Sequence, residues 1–465
     1  MDGLVCSHRG PFTYADVDGR IEERPGNGGL VNAVSGLLRG GDRLAWLACA
    51  LSDLDREVAR GRRPAGDGRV GARLLDIPAE THRLFYDEAC VTGLGFLFHG
   101  LVDQAHTPTF DARLDRAWAA YREVNRAYAR EVAKTAVAGP VFVEDYHLMF
   151  VADALREIGF SPPGPTVYFH HVPWCAPAYF ALLPRAARTE VLSRLLAFDA
   201  LGFHARMWAD AFVACCEAFL PGAECEPGRV RWRDRETPIV VAPAQVDVPH
   251  LRQVMAGDAA ERWRDRLTRL AAGRRVIVRA DRVDLWKNVI RGFAAFERLV
   301  LDGGAPDTVF VALLVRSRTH LPEYRRYLAA CRREAGRVNE RLDPYGPGPI
   351  HLLVAGGSEH ARALAGLGMA DVALVNSTSD GLNLVAKETA IAGEGRTRLV
   401  LSETTGAHEQ LGAWAHTVHP FDIGQTAGAL AAALAEDGAP GLRDAVLDDS
   451  PESWIRRRLA PVSSA

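Results

Sequence analysis

Short apolar runs rich in β-branched and aromatic residues alternate along the chain with longer stretches whose apolar positions recur every three or four residues. "VFVEDYHL" precedes "MFVADALREIGF", "TVYFHHVPW" precedes a helical pattern near 185–197, and "ALGFH" precedes "ARMWADAFVACCEAFL". Strand followed by helix, repeated, predicts parallel strands with crossover helices. A second series begins at "RRVIVRADR" and runs through "TVFVALLVRSR", "PIHLLVAG", "DVALVNST" and "RLVLSET". Between the two series, the spaced prolines of "TPIVVAPAQVDVPHL" mark a domain crossing near residue 245. The expected fold class is therefore α/β, with two Rossmann-like doubly wound domains facing across a cleft. Their expected bounds are 1–244 and 245–440, with a segment at 441–465 packing back on the first. Such domains hold ligands at the carboxyl ends of their strands.

Composition supports two cores and narrows the ligand classes. The 465 residues are 48% apolar, more than one ordinary core accommodates. Lys plus Arg total 55 against 58 acidic residues, so no global basic surplus points to nucleic acid or an anionic membrane, and any basic site must be local. "MDGLVCSHRGPF" lacks the features of a secretion signal and no run approaches the ~20 apolar residues of a membrane span, so a cytoplasmic protein is expected. Whether it forms a homo-oligomer is left open. The eight cysteines form no CxxC and no Cys/His spacing typical of zinc, and are read as reduced, mostly buried thiols.

Five stretches carry chemistry. In "DVALVNSTSDGLNLVAKETA" a strand breaks into small polar residues and glycine before a helix resumes. Amides from Gly381 to Val385 at that turn suit a phosphate or a sugar hydroxyl, with Asp380 as a hydroxyl acceptor. The alternative is that Ser377, Thr378, Ser379 and Asp380 simply cap the helix. In "RADRVDLWKN" Arg282 and Lys287 sit five positions apart across a turn, either converging on a diphosphate or solvated beside Asp281 and Asp284. Near the start, "DVDG" reads as a hairpin turn, Gly28 and Gly29 open an amphipathic helix, and Arg9 follows a short strand. The acidic pair of "VFVEDYHL" and the two histidines of "VYFHHVPW" stand at strand exits, where sites of this fold class lie, although His170 reads equally as a structural histidine. Asp16/Asp18 and Asp53/Asp55 match a DxD spacing that short acidic loops also produce by chance, so no metal is assigned.

Taken in order, "GGLVNAVSGLL", "FYDEACVTGLGFLFH", "EDYHL", "FHHVPW", "ALGFH", "DRVDLWKN", "SRTHLPEY", "DGLNLVAKE" and "LSETTGAHEQLG" resemble the trehalose-6-phosphate synthase family of retaining glycosyltransferases across nearly the whole chain. The resemblance implies the two-Rossmann-domain GT-B fold, with a nucleotide sugar held mainly by the C-terminal domain and the acceptor by the N-terminal one. It implies that Arg282 and Lys287 bind the donor diphosphate, with Gly28 and Gly29 closing over it. Asn383, Leu384 and Val385 would bring backbone amides to it, and Glu388 would bind the ribose. Asp380 and His171 fall where the family holds donor sugar hydroxyls, and Asp145 beside the acceptor. Arg9, Tyr86 and Arg318 match acceptor-phosphate contacts. Asp145, His171, Arg282, Lys287 and Asp380 form the implied catalytic set, with no metal or other cofactor.

Departures from the family pattern point to an altered acceptor. The family's "LWP" is Leu94-Gly95-Phe96, which removes an indole and is expected to enlarge or reshape the acceptor wall. The glycine after the donor lysine is Asn288, and the usual "PLRDG" is "STSDG", preceded by Asn376. "KN", "NSTxDG", "SETxGA" and "HPFD" are similar to the validoxylamine 7'-phosphate synthase branch, which joins an activated cyclitol to an aminocyclitol phosphate through nitrogen. The expectation is a transferase acting from a UDP-, GDP- or ADP-linked donor on a sugar, amino sugar or aminocyclitol phosphate. Its rivals are such a pseudoglycosyltransferase and a catalytically silent ligand-sensing homologue.

Overall fold

The computed structural model describes residues 2–26, 43–62, 71–135, 138–305, 307–357 and 359–462. It divides into two compact units, residues 1–244 with 451–465, and residues 245–450. In the first unit the strands are β1 (Asp2–Cys6), β2 (Phe12–Val17), β3 (Arg20–Pro25), β4 (Arg43–Cys49), β5 (Ala72–Leu75), β6 (Val141–Glu144), β7 (Thr166–His170), β8 (Ala200–Phe203), β9 (Glu224–Glu226), β10 (Arg229–Trp232) and β11 (Arg235–Val241). Nine of them form one sheet in the order β5-β4-β1-β6-β7-β8-β11-β10-β9. Pairing is parallel from β5 to β11 and antiparallel over β11, β10 and β9. β2 and β3 form the hairpin expected at "DVDG", with Asp18 and Gly19 both at positive φ as a tight hairpin turn requires.

The second unit contains β12 (Arg275–Arg282), β13 (Thr308–Val315), β14 (Ile350–Ala355), β15 (Val372–Val375), β16 (Arg398–Ser402) and β17 (His416–Val418), in the order β14-β13-β12-β15-β16-β17. Every pair is parallel. The central strands are almost uninterrupted Val, Ile, Leu and Ala because helices cover both faces, and Phe293, Phe296, Phe310, Leu314, Val338 and Leu430 are completely buried in one of its cores.

The parallel part of each sheet reverses its strand order once, and that reversal marks the candidate site. In the first unit the chain runs outward from β1 to β4 and β5, then returns to place β6 on the other side of β1. In the second it runs from β12 to β13 and β14, then places β15 on the other side of β12. Ligands of open α/β sheets bind at such switch points, beyond the strand carboxyl ends. Arg9 and Asp145 follow β1 and β6, while Arg282 and Asp380 end or follow β12 and β15.

The C-terminal helix, Pro451–Leu459, belongs to the first unit, and the chain leaves the second at Ser450. Trp454 donates its indole N–H to the Ala242 carbonyl at 2.9 Å, and Arg458, wholly buried, pairs with Glu144 at 2.7 Å. Its guanidinium also lies over the Phe142, Phe169 and Trp454 rings at 4.9, 4.7 and 4.8 Å.

Candidate active site

The switch point of the second unit is built around β12. Period-two alternation sends Arg279 and Asp281 to one side at the strand end, where the Arg279 guanidinium meets the Asp281 carboxylate at 2.7 Å. Arg279, 1% exposed, also donates to the carbonyls of Lys287 and Asn288, which fixes the turn carrying Lys287. A Cβ on Gly292 would stand 2.7 Å from that guanidinium, so the following helix approaches closely only because the residue is glycine.

Lys287 donates to Asp380 at 2.6 Å, bridging the loops after β12 and β15, and lies 3.8 Å from Asp281. Burial works against its ammonium, but the two carboxylates outweigh it and hold the pKa above the ordinary lysine value. Asp281 is pushed up by burial against the pull of Arg279 and Lys287. Beside this cluster, Asp284 pairs with Arg282 at 2.8 Å and with Arg318 at 3.0 Å. Burial raises its pKa, yet the two arginines prevail and the net shift is downward. Four cations thus face three carboxylates, leaving one positive charge for an anion to balance.

In the turn at 376–384 the polar side chains do not cap the helix that follows. Asp380 spends its carboxylate on Lys287, Ser377 and the Asn383 amide. The helix Leu384–Ala392 begins after Asn383, at φ 75°, with no side-chain cap on its first amides. The positive end of that helix, with Leu384 and Val385 in its first turn, stands next to Lys287's partner, which suits a phosphate. Gly406 of "SETTGA" packs beneath: its amide donates to the Asp380 carbonyl at 3.0 Å, and a Cβ there would fall 2.0 Å from the Gly381 carbonyl oxygen. Glu388, in the same helix, accepts from His360 at 3.1 Å. Burial draws the His360 imidazole down, but Glu388 overcomes it and the net shift is upward.

The two departures Asn288 and Asn376 touch each other. Asn288 adopts φ 59°, a left-handed position that asparagine tolerates, and its amide donates to the Asn376 carbonyl at 2.9 Å and the Pro420 carbonyl at 2.7 Å. The Asn376 side-chain oxygen in turn accepts from Arg279 at 3.3 Å. One substitution thus accompanies the other, in a network that supports Lys287.

In the first unit Asp145 has φ 73° and ψ 165°, a costly conformation for a residue with a side chain. Among the described residues eight that are not glycine have positive φ, and Asp145, Asn288, Arg318 and Asn383 are four of them, which concentrates strain in the segments singled out from sequence. Asp145 accepts from the His171 backbone amide at 3.2 Å, and burial raises its pKa. The His171 ring is held on both nitrogens. The Ala244 amide donates to His204 Nδ1, so a neutral His204 carries its proton on Nε2 and donates to His171 Nδ1 at 3.1 Å. His171 then donates from Nε2 to Glu144 at 2.7 Å. Burial raises Glu144, but Arg458 and His171 together more than reverse it, so the carboxylate is held low. His171 therefore has its ring nitrogens engaged inside the unit; its support Glu144 is the other member of the acidic pair noted at this strand exit, and Arg458 is a support the sequence reading passed over. His170 is structural, bonded to the Tyr168 hydroxyl at 2.8 Å and pushed down to about 3 by burial.

Arg9 is exposed, and Tyr86 lies in a twelve-residue π-helix, Leu84–Gly95, a rare form that clusters at functional sites. Gly95 ends that helix. A Cβ there would meet the Cys90 carbonyl at 3.1 Å and the Tyr146 hydroxyl at 3.2 Å, so Tyr146 stands close to where a side chain at this position would begin. Gly28 and Gly29 lie outside the described residues. Of the DxD pairs, Asp16 accepts the Gly19 amide within the hairpin, and Asp55 completes a capping box with Ser52.

Residues 3–441 match the model of glycosyltransferase family 20. The chain belongs to that family. Over 445 residues it is 32% identical to a bifunctional trehalose-6-phosphate synthase/phosphatase of Thermoproteus tenax, covering 93% of this chain but 58% of that protein. It is 30% identical to a trehalose-6-phosphate synthase of Mycolicibacterium paratuberculosis, covering 98% and 94% of the two chains, and 28% identical to a validamine 7-phosphate valienyltransferase of Streptomyces hygroscopicus subsp. jinggangensis, covering 98% and 93%. Among solved structures, a UDP-forming alpha,alpha-trehalose-phosphate synthase of Burkholderia vietnamiensis superposes with a TM-score of 0.82 at 26% identity, covering 100% and 98%. This is therefore a family 20 glycosyltransferase with the fold of the trehalose-phosphate synthases.

Proposed function

We propose that this family 20 enzyme is a retaining, metal-independent transferase that moves a hexose from a nucleoside diphosphate sugar to a phosphorylated acceptor, with UDP-glucose and a sugar phosphate as the first substrates to test. The observation that carries this reading is the surplus positive charge of Arg282, Lys287 and their neighbours at the switch point of the second unit, beside an uncapped helix N-terminus. A diphosphate supplies the missing negative charge. As the glycosidic bond to it lengthens, charge accumulates on the leaving oxygens, and cations already fixed in place stabilise that state more than the ground state. Attack on the same face requires no covalent nucleophile from the chain. UDP as the nucleotide is supported by the UDP-forming relatives, including one of Arabidopsis thaliana, 30% identical over 88% of this chain and 43% of that protein.

A second reading, transfer of a cyclitol to an aminocyclitol phosphate, is favoured by the Asn288–Asn376 pair and by Gly95 against Tyr146, together with the valienyltransferase likeness. Isothermal titration with UDP tests the site itself: binding by the native protein, weakened by at least tenfold in Arg282→Ala, supports the diphosphate assignment. Equal affinity in that variant counts against it. Slow hydrolysis of UDP-glucose without acceptor separates an enzyme from a ligand-sensing homologue.

A further inference from the structure

Among the described residues, one group of three metal-ligating side chains closes on itself: the reachable ligand atoms of His8, Cys49 and His82 all lie within 4.8 Å of one another. They come from three separate elements of the first unit. His8 follows β1, Cys49 ends β4, and His82 stands in the short helix Ala79–Arg83. The Cys49 amide donates to the His8 carbonyl at 3.2 Å, tying two of the three together through the backbone. The two imidazoles meet Nε2 to Nε2 at 3.0 Å. The His8 ring is fixed by stacking on Tyr86 at 4.2 Å and beside His147 at 5.1 Å, and Cys49 Sγ is located by the Tyr128 hydroxyl at 3.3 Å.

We propose that His8, Cys49 and His82 form a binding site for a borderline transition-metal ion, Zn²⁺ in the first instance. On a tetrahedral Zn²⁺, two imidazole nitrogens lie about 3.3 Å apart and a nitrogen and a thiolate sulfur about 3.6 Å apart, from bond lengths of roughly 2.0–2.1 and 2.3 Å. The ring nitrogens are within a few tenths of an ångström of that separation, and rotation of the Cys49 thiol supplies the rest. Two imidazoles and one thiolate select zinc or copper(I) over magnesium and calcium, which require oxygen ligands. Loading releases the Cys49 thiol proton to solvent and leaves the fourth position to water. His8 and Cys49 are buried and His82 is half-buried, so the ion enters from the His82 side. The transfer proposed above depends on Arg282 and Lys287 of the other unit, and the two proposals stand or fall separately.

The test is titration of the chelator-stripped full-length protein with Co²⁺, followed by Zn²⁺ competition. One equivalent of Co²⁺ should produce the ligand-field absorption of a tetrahedral site together with a thiolate-to-cobalt charge-transfer band, both erased by one equivalent of Zn²⁺. Cys49→Ser should lose the charge-transfer band, and His82→Ala, at the most accessible of the three positions, should lose stoichiometric binding while keeping the native circular dichroism. If Cys49→Ser does not fold, His82→Ala alone decides. No charge-transfer band in the native protein, or unchanged binding in His82→Ala, would overturn the proposal.

Discussion

Lys287 and Arg282 sit in different surroundings, and their removal reads differently. The Arg282 side chain is 57% exposed and tied only at Asp284 among the ion pairs described, so Arg282→Ala should lower kcat/KM by about 10 to 150-fold, the value of one charge-assisted hydrogen bond of roughly 1.5–3 kcal/mol, with little change in Tm. The Lys287 side chain is 11% exposed between Asp380 and Asp281. Lys287→Ala strands buried carboxylates and should cost on the order of 3 kcal/mol of stability besides activity. Kinetics paired with chemical denaturation distinguishes the two, and near-normal turnover in both variants would refute the assignment. Asn288 gives a sharper stability contrast. Asn288→Ala loses two hydrogen bonds to carbonyl oxygens and keeps a Cβ at φ 59° without the asparagine side chain that makes this backbone tolerable, for a cost of about 3 kcal/mol, whereas Asn288→Gly relieves the backbone and should cost about half as much. Equal losses in denaturation midpoint would show that the left-handed backbone is not a factor.

Among its anchors the C-terminal helix has a buried ion pair, and pH should act on that pair in a defined direction. Glu144's pKa is held below its ordinary value of 4.5, so its contribution is complete above that pH and is lost as pH falls through the lower folded value. Amide protection factors over residues 451–459, corrected for the intrinsic pH dependence of exchange, should stay high down to about pH 4.5 and fall below it. Glu144→Gln should lower them already at neutral pH, and unchanged protection in that variant would contradict the account. The strands were legible because buried parallel strands read as apolar runs, and the β2–β3 hairpin because "DVDG" has little alternative. Side-chain partners were not. Glu144 and Arg458 are 314 positions apart and Lys287 and Asp380 are 93 apart, and no local spacing connects either pair. The resemblance supplied Lys287 and Asp380 as separate roles and was silent on Glu144. It flagged Asn288 and Asn376 as two departures, and only their contact makes them one feature. The proposed zinc ligands escaped for the same reason: positions 8, 49 and 82 make no sequence motif, and the cysteine spacing pointed away from metal.

At the scale of the molecule, among the described residues no helix is long and apolar enough to cross a membrane, and the chemistry is assigned to two strand-order reversals. With Arg282, Lys287 and helix amides proposed to hold the diphosphate in place of a metal, EDTA should leave transfer largely intact. Loss of turnover restored by Mg²⁺ or Mn²⁺ would instead require an acidic metal site, a role for which Asp16 and Asp55 are already engaged in a turn and a helix cap. The most direct test of the central claim is a mass-spectrometric matrix of UDP-, GDP- and ADP-glucose and a GDP-cyclitol against glucose 6-phosphate and its amino analogues, run with native protein and Lys287→Ala. The account predicts nucleoside diphosphate and a phosphorylated coupled product in equal amounts from at least one nucleotide sugar, with both falling together in the variant. Coupling from the cyclitol donor alone would select the second reading, and no coupled product from any donor with folded native protein would contradict the account.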